Sequence, residues 1–112
     1  MRKIEAIIRP QALHAVRRAL HAIGVTGITA IEVKGVGRQK GQTGMYRTAE
    51  FRVDFVPKVK LEVVVGEELV EPAIGAIREA ANDGRIGAGK IFCYALDEVV
   101  RIRTGERGPQ AI

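Results

Sequence analysis

Two strand–helix–strand units of similar hydrophobic pattern, separated by one long glycine-rich segment, predict a single α+β domain of ferredoxin-like plan, βαββαβ. In that plan one mostly antiparallel sheet carries both helices on one face. The chain has 112 residues, enough for one modest core. Apolar residues make up 46% and aromatics 4%, with no tryptophan, so that core is expected to be aliphatic.

Residues 2–8, RKIEAII, alternate as a strand with Ile4, Ala6 and Ile8 on one face. Pro10 suits a first helical turn. Leu13, Val16, Leu20 and Ile23 follow at the spacing of an amphipathic helix, which Gly24 stops. Its other face, His14, Arg17, Arg18 and His21, reads as solvated surface, since nothing nearby completes a metal-ligand set. Thr26 to Val36, β-branched and alternating, makes the second strand. Val59 to Val65, VKLEVVV, is nearly continuous in apolar character and is expected at the centre of the sheet. After Gly66, the acids Glu67, Glu68 and Glu71 load a helix start, where the macrodipole favours them. Leu69, Ala73, Ile77 and Ala80 form the buried stripe of that helix, and Pro72 limits where its regular hydrogen bonding begins. Asn82, Asp83 and Gly84 end it. Ile91 to Leu96 is a fourth strand, with Cys93 packed in the core as a small hydrophobe. Val99 to Ile102 is expected as a short additional strand. The second sheet face has no covering layer in the sequence, and an uncovered aliphatic face predicts self-association.

Between the halves lies Lys34 to Lys58, which carries Gly35, Gly37, Gly41 and Gly44 together with Arg38, Lys40, Arg47 and Arg52. A loop of that length in so small a domain is usually functional or disordered. Its glycines let backbone N–H groups face a ligand, and its cations suit an anion. The net charge of +5 also favours an anionic partner. Gly87-Ala88-Gly89-Lys90 and Arg101-Ile102-Arg103 add two basic segments. The first is not a nucleotide-binding P-loop, because Gly89-Lys90 leads into a strand rather than a helix. In the second, a strand period of two puts both guanidiniums on one side, a fork suited to phosphate oxygens. One cysteine excludes an internal disulfide. There is no metal-ligand cluster, no membrane-spanning apolar run and no signal-peptide pattern, which predicts a cytoplasmic protein without membrane insertion. VKLEVVV lacks the aromatic platform on which an RNA-reading sheet stacks bases, so no direct nucleic-acid partner is expected. No nucleophile-and-base constellation supports an enzyme.

The motifs KIEAIIRP at 3–10, EVKGVGRQKG at 32–41, Tyr46-Arg47, VDFVPKVKLEVVV at 53–65, IGAGKIF at 86–92 and VRIRTGE at 100–106 occur in fixed order. Through them the chain closely resembles the PII signal-transduction proteins, nearly end to end. The resemblance implies a homotrimer of ferredoxin-like subunits that binds ATP or ADP in the clefts between subunits. It implies sensing of 2-oxoglutarate together with Mg-ATP, read out by a long loop that docks on or releases a target protein. On this reading residues 1–112 form one PII-like domain, with a mobile effector loop at 37–55, a phosphate-binding loop at 82–90 and a C-terminal strand and loop at 98–112. Gly35, Gly37 and Arg38 would line the nucleotide pocket at the loop base, and Gly87, Ala88, Gly89 and Lys90 would hold phosphates. Arg101 and Arg103 would reach the phosphates across the subunit boundary. Glu62 and Val64 would meet the adenine edge, with Thr29 close by. Gln39 would ligate Mg2+ in the 2-oxoglutarate state, while Lys58 would pair with the distal carboxylate of that acid. Arg47, beside Tyr46, would contact the target, commonly an ammonium channel, which would recruit the protein to the inner membrane.

The chain departs from the family pattern at several positions. Phe51 stands where many relatives carry a uridylylated tyrosine, Ala49 where some carry a phosphorylated serine, and Thr48 breaks the same signature. Ala88 stands where aspartate is usual, and Asp83 where threonine is common. These departures imply control by ligands alone. They also leave an alternative, a divergent adenylate sensor whose target lies outside nitrogen metabolism, such as another transporter.

Overall fold

The computed structural model describes residues 1–36 and 55–112. Six regular elements carry the fold: β1 (Arg2–Ile8), α1 (Leu13–Ala22), β2 (Ile28–Gly35), β3 (Val56–Val65), α2 (Val70–Ala81) and β4 (Gly89–Ala95). The four strands pair antiparallel in the order β2-β3-β1-β4. This is the expected ferredoxin-like arrangement, with β3 central and β1 beside it.

The helix-facing side of the sheet follows from the two-residue alternation. Ile4, Ala6 and Ile8 of β1 and Val59, Leu61, Val63 and Val65 of β3 are buried together with Val16 and Leu20 of α1 and Ala73 and Ile77 of α2. Both helices therefore lie on one face. Helix α1 ends as its sequence dictates. Gly24 takes a φ of +92°, its N–H bonds to the His21 carbonyl, and the Val25 N–H reaches back to the Leu20 carbonyl. That pair of bonds closes the helix, and Val25 joins Leu20 in the core. In α2, Pro72 falls within the first turn, where its missing N–H would have had no intrahelical partner.

Three expectations are corrected. Val99 to Ile102 is not a strand: only Val100 makes a bridge, to Arg107, and a turn closed by the Gly105 N–H to the Arg101 carbonyl follows at once. Cys93 packs against the core but is only half-buried, because it lies on an edge strand. The second sheet face is not aliphatic at its centre. It carries Lys3 and Glu5 of β1 and Lys60 and Glu62 of β3, linked by ion pairs of 3.3–4.0 Å. Apolar side chains flank this quartet, with Ile31 on β2 and Phe92 and Tyr94 on β4 exposed.

Gly89 opens β4 with a φ of +121°, and a methyl group there would fall on the carbonyl oxygen of Ile7 in β1. Replacing Gly89 by Ala should therefore cost about 3 kcal/mol or more, through the clash and the disfavoured backbone. Denaturant unfolding at fixed protein concentration checks this, and an unchanged midpoint would contradict it.

Candidate functional site

The strand register brings separate segments to one end of the sheet. Ile8–Val59 is the last β1–β3 pair, and Gly89 stands opposite Ile8 on the other side. Arg9 and Lys58 are each the next residue outward, so they emerge side by side next to the turn that precedes β4. There Lys58 Nζ donates to the Gly87 carbonyl at 2.6 Å. Arg9 Nη2 donates to the Ile86 carbonyl at 2.8 Å, and Arg9 Nε to Asp83 Oδ2 at 2.8 Å. Gly35 pairs with Val56 at the same end, and a methyl group on it would lie 3.9 Å from Lys58 Cγ. Three residues expected in the site, Gly35, Lys58 and Gly87, are thus brought together. β2 ends at Gly35 and β3 begins at Val56 at this end.

Arg9 received no role from the sequence, although it lies in the KIEAIIRP stretch. The available signal was a cation directly after the last core residue of a strand. Burial pushes the Lys58 ammonium below its ordinary value, and the Arg9 charge adds to this while Asp83 partly offsets it. An incoming carboxylate would relieve both effects. The Asp83 carboxyl is held below its usual range, chiefly by the Arg85 N–H at 3.0 Å from Oδ1, with Arg9 adding against the cost of burial. Gly87 and Gly89 both take positive φ, 100° and 121°, so the backbone here bends sharply. Lys90 follows with an exposed side chain and no ion pair among the described residues. Ala88 is partly buried, beside a smaller cavity of about 330 Å³ next to Lys90.

A second group lies at the other end of the sheet. Thr29, Glu62 and Val64 line a cleft of about 860 Å³ that also touches Lys3, Glu67 and Ile112. β2 begins opposite Val63, so β3 runs on through Val64 and Val65 with no strand on that side. Burial works against the Glu62 charge, but the Lys60 and Lys3 ammoniums, 3.3 and 3.4 Å away, hold its carboxyl below the ordinary range.

Arg101 and Arg103 do not form the expected fork. They sit at the start and within a tight turn rather than on a strand, so the period of two does not apply. Arg101 is engaged inside its own segment, donating to Glu106 Oε1 at 2.7 Å and to the Gln110 carbonyl at 3.2 Å. Arg103 is exposed. Both follow β4, whose far end is fixed by the Leu96 N–H on the Met1 carbonyl, whereas Gly87 to Lys90 lie at its start. Seven residues of strand separate the two ends by roughly 20 Å. Within one subunit the glycine turn and the two arginines therefore do not meet. Gly37, Arg38, Gln39, Tyr46, Arg47, Thr48, Ala49 and Phe51 lie outside the described residues.

The family model for nitrogen regulatory protein P-II matches residues 1–106. The nitrogen regulatory protein P-II of Rhodospirillum rubrum is 62% identical over 112 residues, covering the whole of both chains. That of Azospirillum brasilense is also 62% identical over its full length. Nitrogen regulatory protein P-II 1 of Escherichia coli is 53% identical, again end to end.

The depressed Asp83 pKa has a stability consequence. Its contribution is fully present above the ordinary aspartate value and is lost as pH falls through the lower folded value. Asp83→Asn should therefore be less stable than the parent near neutral pH, and the two should converge as acidification carries Asp83 through its lowered folded value. Unfolding midpoints measured across that range check the sign. A difference that grows on acidification would refute it.

Proposed function

Because the chain belongs to the nitrogen regulatory protein P-II family, we propose that it is a signal-transduction protein that binds ATP or ADP and, with Mg-ATP, 2-oxoglutarate. Binding takes place between the subunits of a homotrimer, and the segment 37–55 controls a target such as an ammonium transporter or an enzyme of nitrogen metabolism. It acts by binding rather than catalysis. The observation that carries this reading is the convergence of Gly35, Lys58 and Gly87 at the end of the sheet where that segment leaves and returns. A ligand held there touches the base of the element that meets the target.

Lys58 pairs with the distal carboxylate of the acid, which favours the charged amine that burial disfavours. Gly87, Ala88 and Gly89 offer a bent backbone for phosphate oxygens, and Lys90 supplies an exposed cation beside it. Bound Mg2+ supplies a divalent charge against the phosphates and the acid, and Gln39 is its protein ligand. By the family resemblance, Gly37 and Arg38 would belong to the same pocket as Gly35. Thr29, Glu62 and Val64 receive the adenine in the cleft at the other end of the sheet.

Assembly between copies is supported by two features. The roughly 20 Å between the glycine turn and Arg101 and Arg103 is bridged when a neighbouring copy contributes the arginines. The open sheet face tolerates cover, since each carboxylate of its charged quartet already sits between two lysines. No helix among the described residues is long and apolar enough to cross a membrane. The protein is cytoplasmic on this reading, and its target brings it to the inner membrane. Arg47 and Tyr46 make the target contact. Phe51 offers no hydroxyl for uridylylation, so ligands alone set the state of the loop.

Calorimetric titration with 2-oxoglutarate should show binding in the presence of Mg-ATP and none in its absence. Lys58→Met should weaken that binding at least about 100-fold, the loss of a charge-assisted pair, while retaining nucleotide. Tight nucleotide binding with no response to the acid would instead identify an adenylate-only sensor, the reading that Ala88 favours. Mass spectrometry of protein from nitrogen-starved cells should find residues 37–55 unmodified. A nucleotidyl or phosphoryl group there would overturn control by ligands alone.

A further inference from the structure

The two cations of the corner differ in what they hold. Lys58 is bonded to a neutral carbonyl, that of Gly87, whereas Arg9 is bonded to a carboxylate. That carboxylate is fixed by its own turn as well as by Arg9. Asp83 Oδ1 accepts the Arg85 N–H at 3.0 Å, and the preceding Asn82 Oδ1 accepts the Gly84 N–H at 2.9 Å. The Arg9 and Asp83 side chains are only 19% and 28% exposed, so solvent screens their pairing incompletely. Arg9 also donates to the Ile86 carbonyl, so two of its donors are committed before any ligand arrives.

We propose that Asp83 is a built-in competitor that sets the affinity of the Arg9–Lys58 corner for a dicarboxylate. This rests on the reading of the corner as the acid-binding site. With Asp83 ionised, Arg9, Lys58 and Asp83 sum to one net positive charge against the two negative charges of the ligand. Arg85, whose Nη2 also lies 3.5 Å from Asp83 Oδ2, is 76% exposed and its charge is screened by solvent. Without it, the corner matches the ligand charge for charge, and the Arg9 Nε is released to a ligand oxygen. The carboxylate stays ionised through the physiological range because the Arg85 N–H and Arg9 both favour its charged form. A purely structural role for Asp83 makes the opposite prediction, since loosening the turn would weaken binding.

The test compares wild-type protein with Asp83→Asn and Asp83→Ser, by calorimetric titration of 2-oxoglutarate in the presence of saturating Mg-ATP. Both variants keep a side-chain oxygen that can accept the Arg85 N–H, so the turn is retained. Each should bind the acid about fivefold more tightly or better, the effect of removing a like charge at short range. Binding by the variants alone would support the proposal in a stronger form. Binding by wild-type protein that is matched or exceeded in Kd by either variant would overturn the competitor role and leave the site reading intact. No acid binding by any of the three, with nucleotide bound, would overturn the site reading and the competitor role with it.

Discussion

The two-residue register between β1 and β3 is the constraint on which the rest of this structure depends. On one side it sends Ile4, Ala6, Ile8, Val59, Leu61, Val63 and Val65 into the core. On the other it sets Lys3, Glu5, Lys60 and Glu62 against one another. A slip of one residue would turn the two charges of one strand toward the helices and that strand's aliphatic set toward solvent. Burying such charges without partners costs several kcal/mol each, so both faces oppose the slip. The same register decides the ligand end. Once Ile8 stands opposite Val59, Arg9 and Lys58 have no choice but to emerge together, and β4 delivers Gly87 beside them.

This dependence explains how much of the molecule was legible in the sequence. Helices and core strands were readable because their periodicity is the physical cause of their placement: Val16 and Leu20, or Leu61 and Val63, bury because they share a face. The second face was misread because VKLEVVV is nearly continuous in apolar character, and that run hides Lys60 and Glu62 until they are set against Lys3 and Glu5. Pairing across strands is not a property of either strand alone. The turn after Val100 was misread for a related reason. Val99 to Ile102 has strand composition, but Gly105 turns the chain back after a single bridge. Of the site, Lys58 and the glycine turn were visible as residues, and their contact was not. Arg9 acquires meaning only when three strands share a register.

The charged quartet also bears on how copies associate. Glu5 and Glu62 are each only 19% exposed in a single subunit, and each lies between the two lysines. Reciprocal pairing leaves no uncompensated charge when the face is covered, which is the condition under which buried ion pairs are tolerated. Around them the apolar groups lie at opposite edges, Ile31 on β2 and Phe92 and Tyr94 on β4. A contact that joins one edge to the other edge of the next copy is heterologous. Such contacts close into a ring when the rotation between copies closes and into an open filament when it does not. The surface therefore suits a cyclic assembly better than a face-to-face pair, in keeping with the proposed trimer.

The bonds at the ligand end determine what binding there can accomplish. Lys58 and Arg9 tie the Gly87 and Ile86 carbonyls to the ends of β3 and β1. An acid that drew either cation away from its carbonyl would alter the hold on the turn that leads to Lys90. A ligand shifts an equilibrium only through its differential affinity for the states involved. One that bound with every such bond intact would change nothing beyond its own pocket. On the proposed reading the acid and the phosphate-binding turn share these few hydrogen bonds, and each ligand would then affect the other by the same coupling free energy. That hold runs from the Lys58 and Arg9 side chains to the Gly87 and Ile86 carbonyls, so it depends on those two cations as well as on the register that places them.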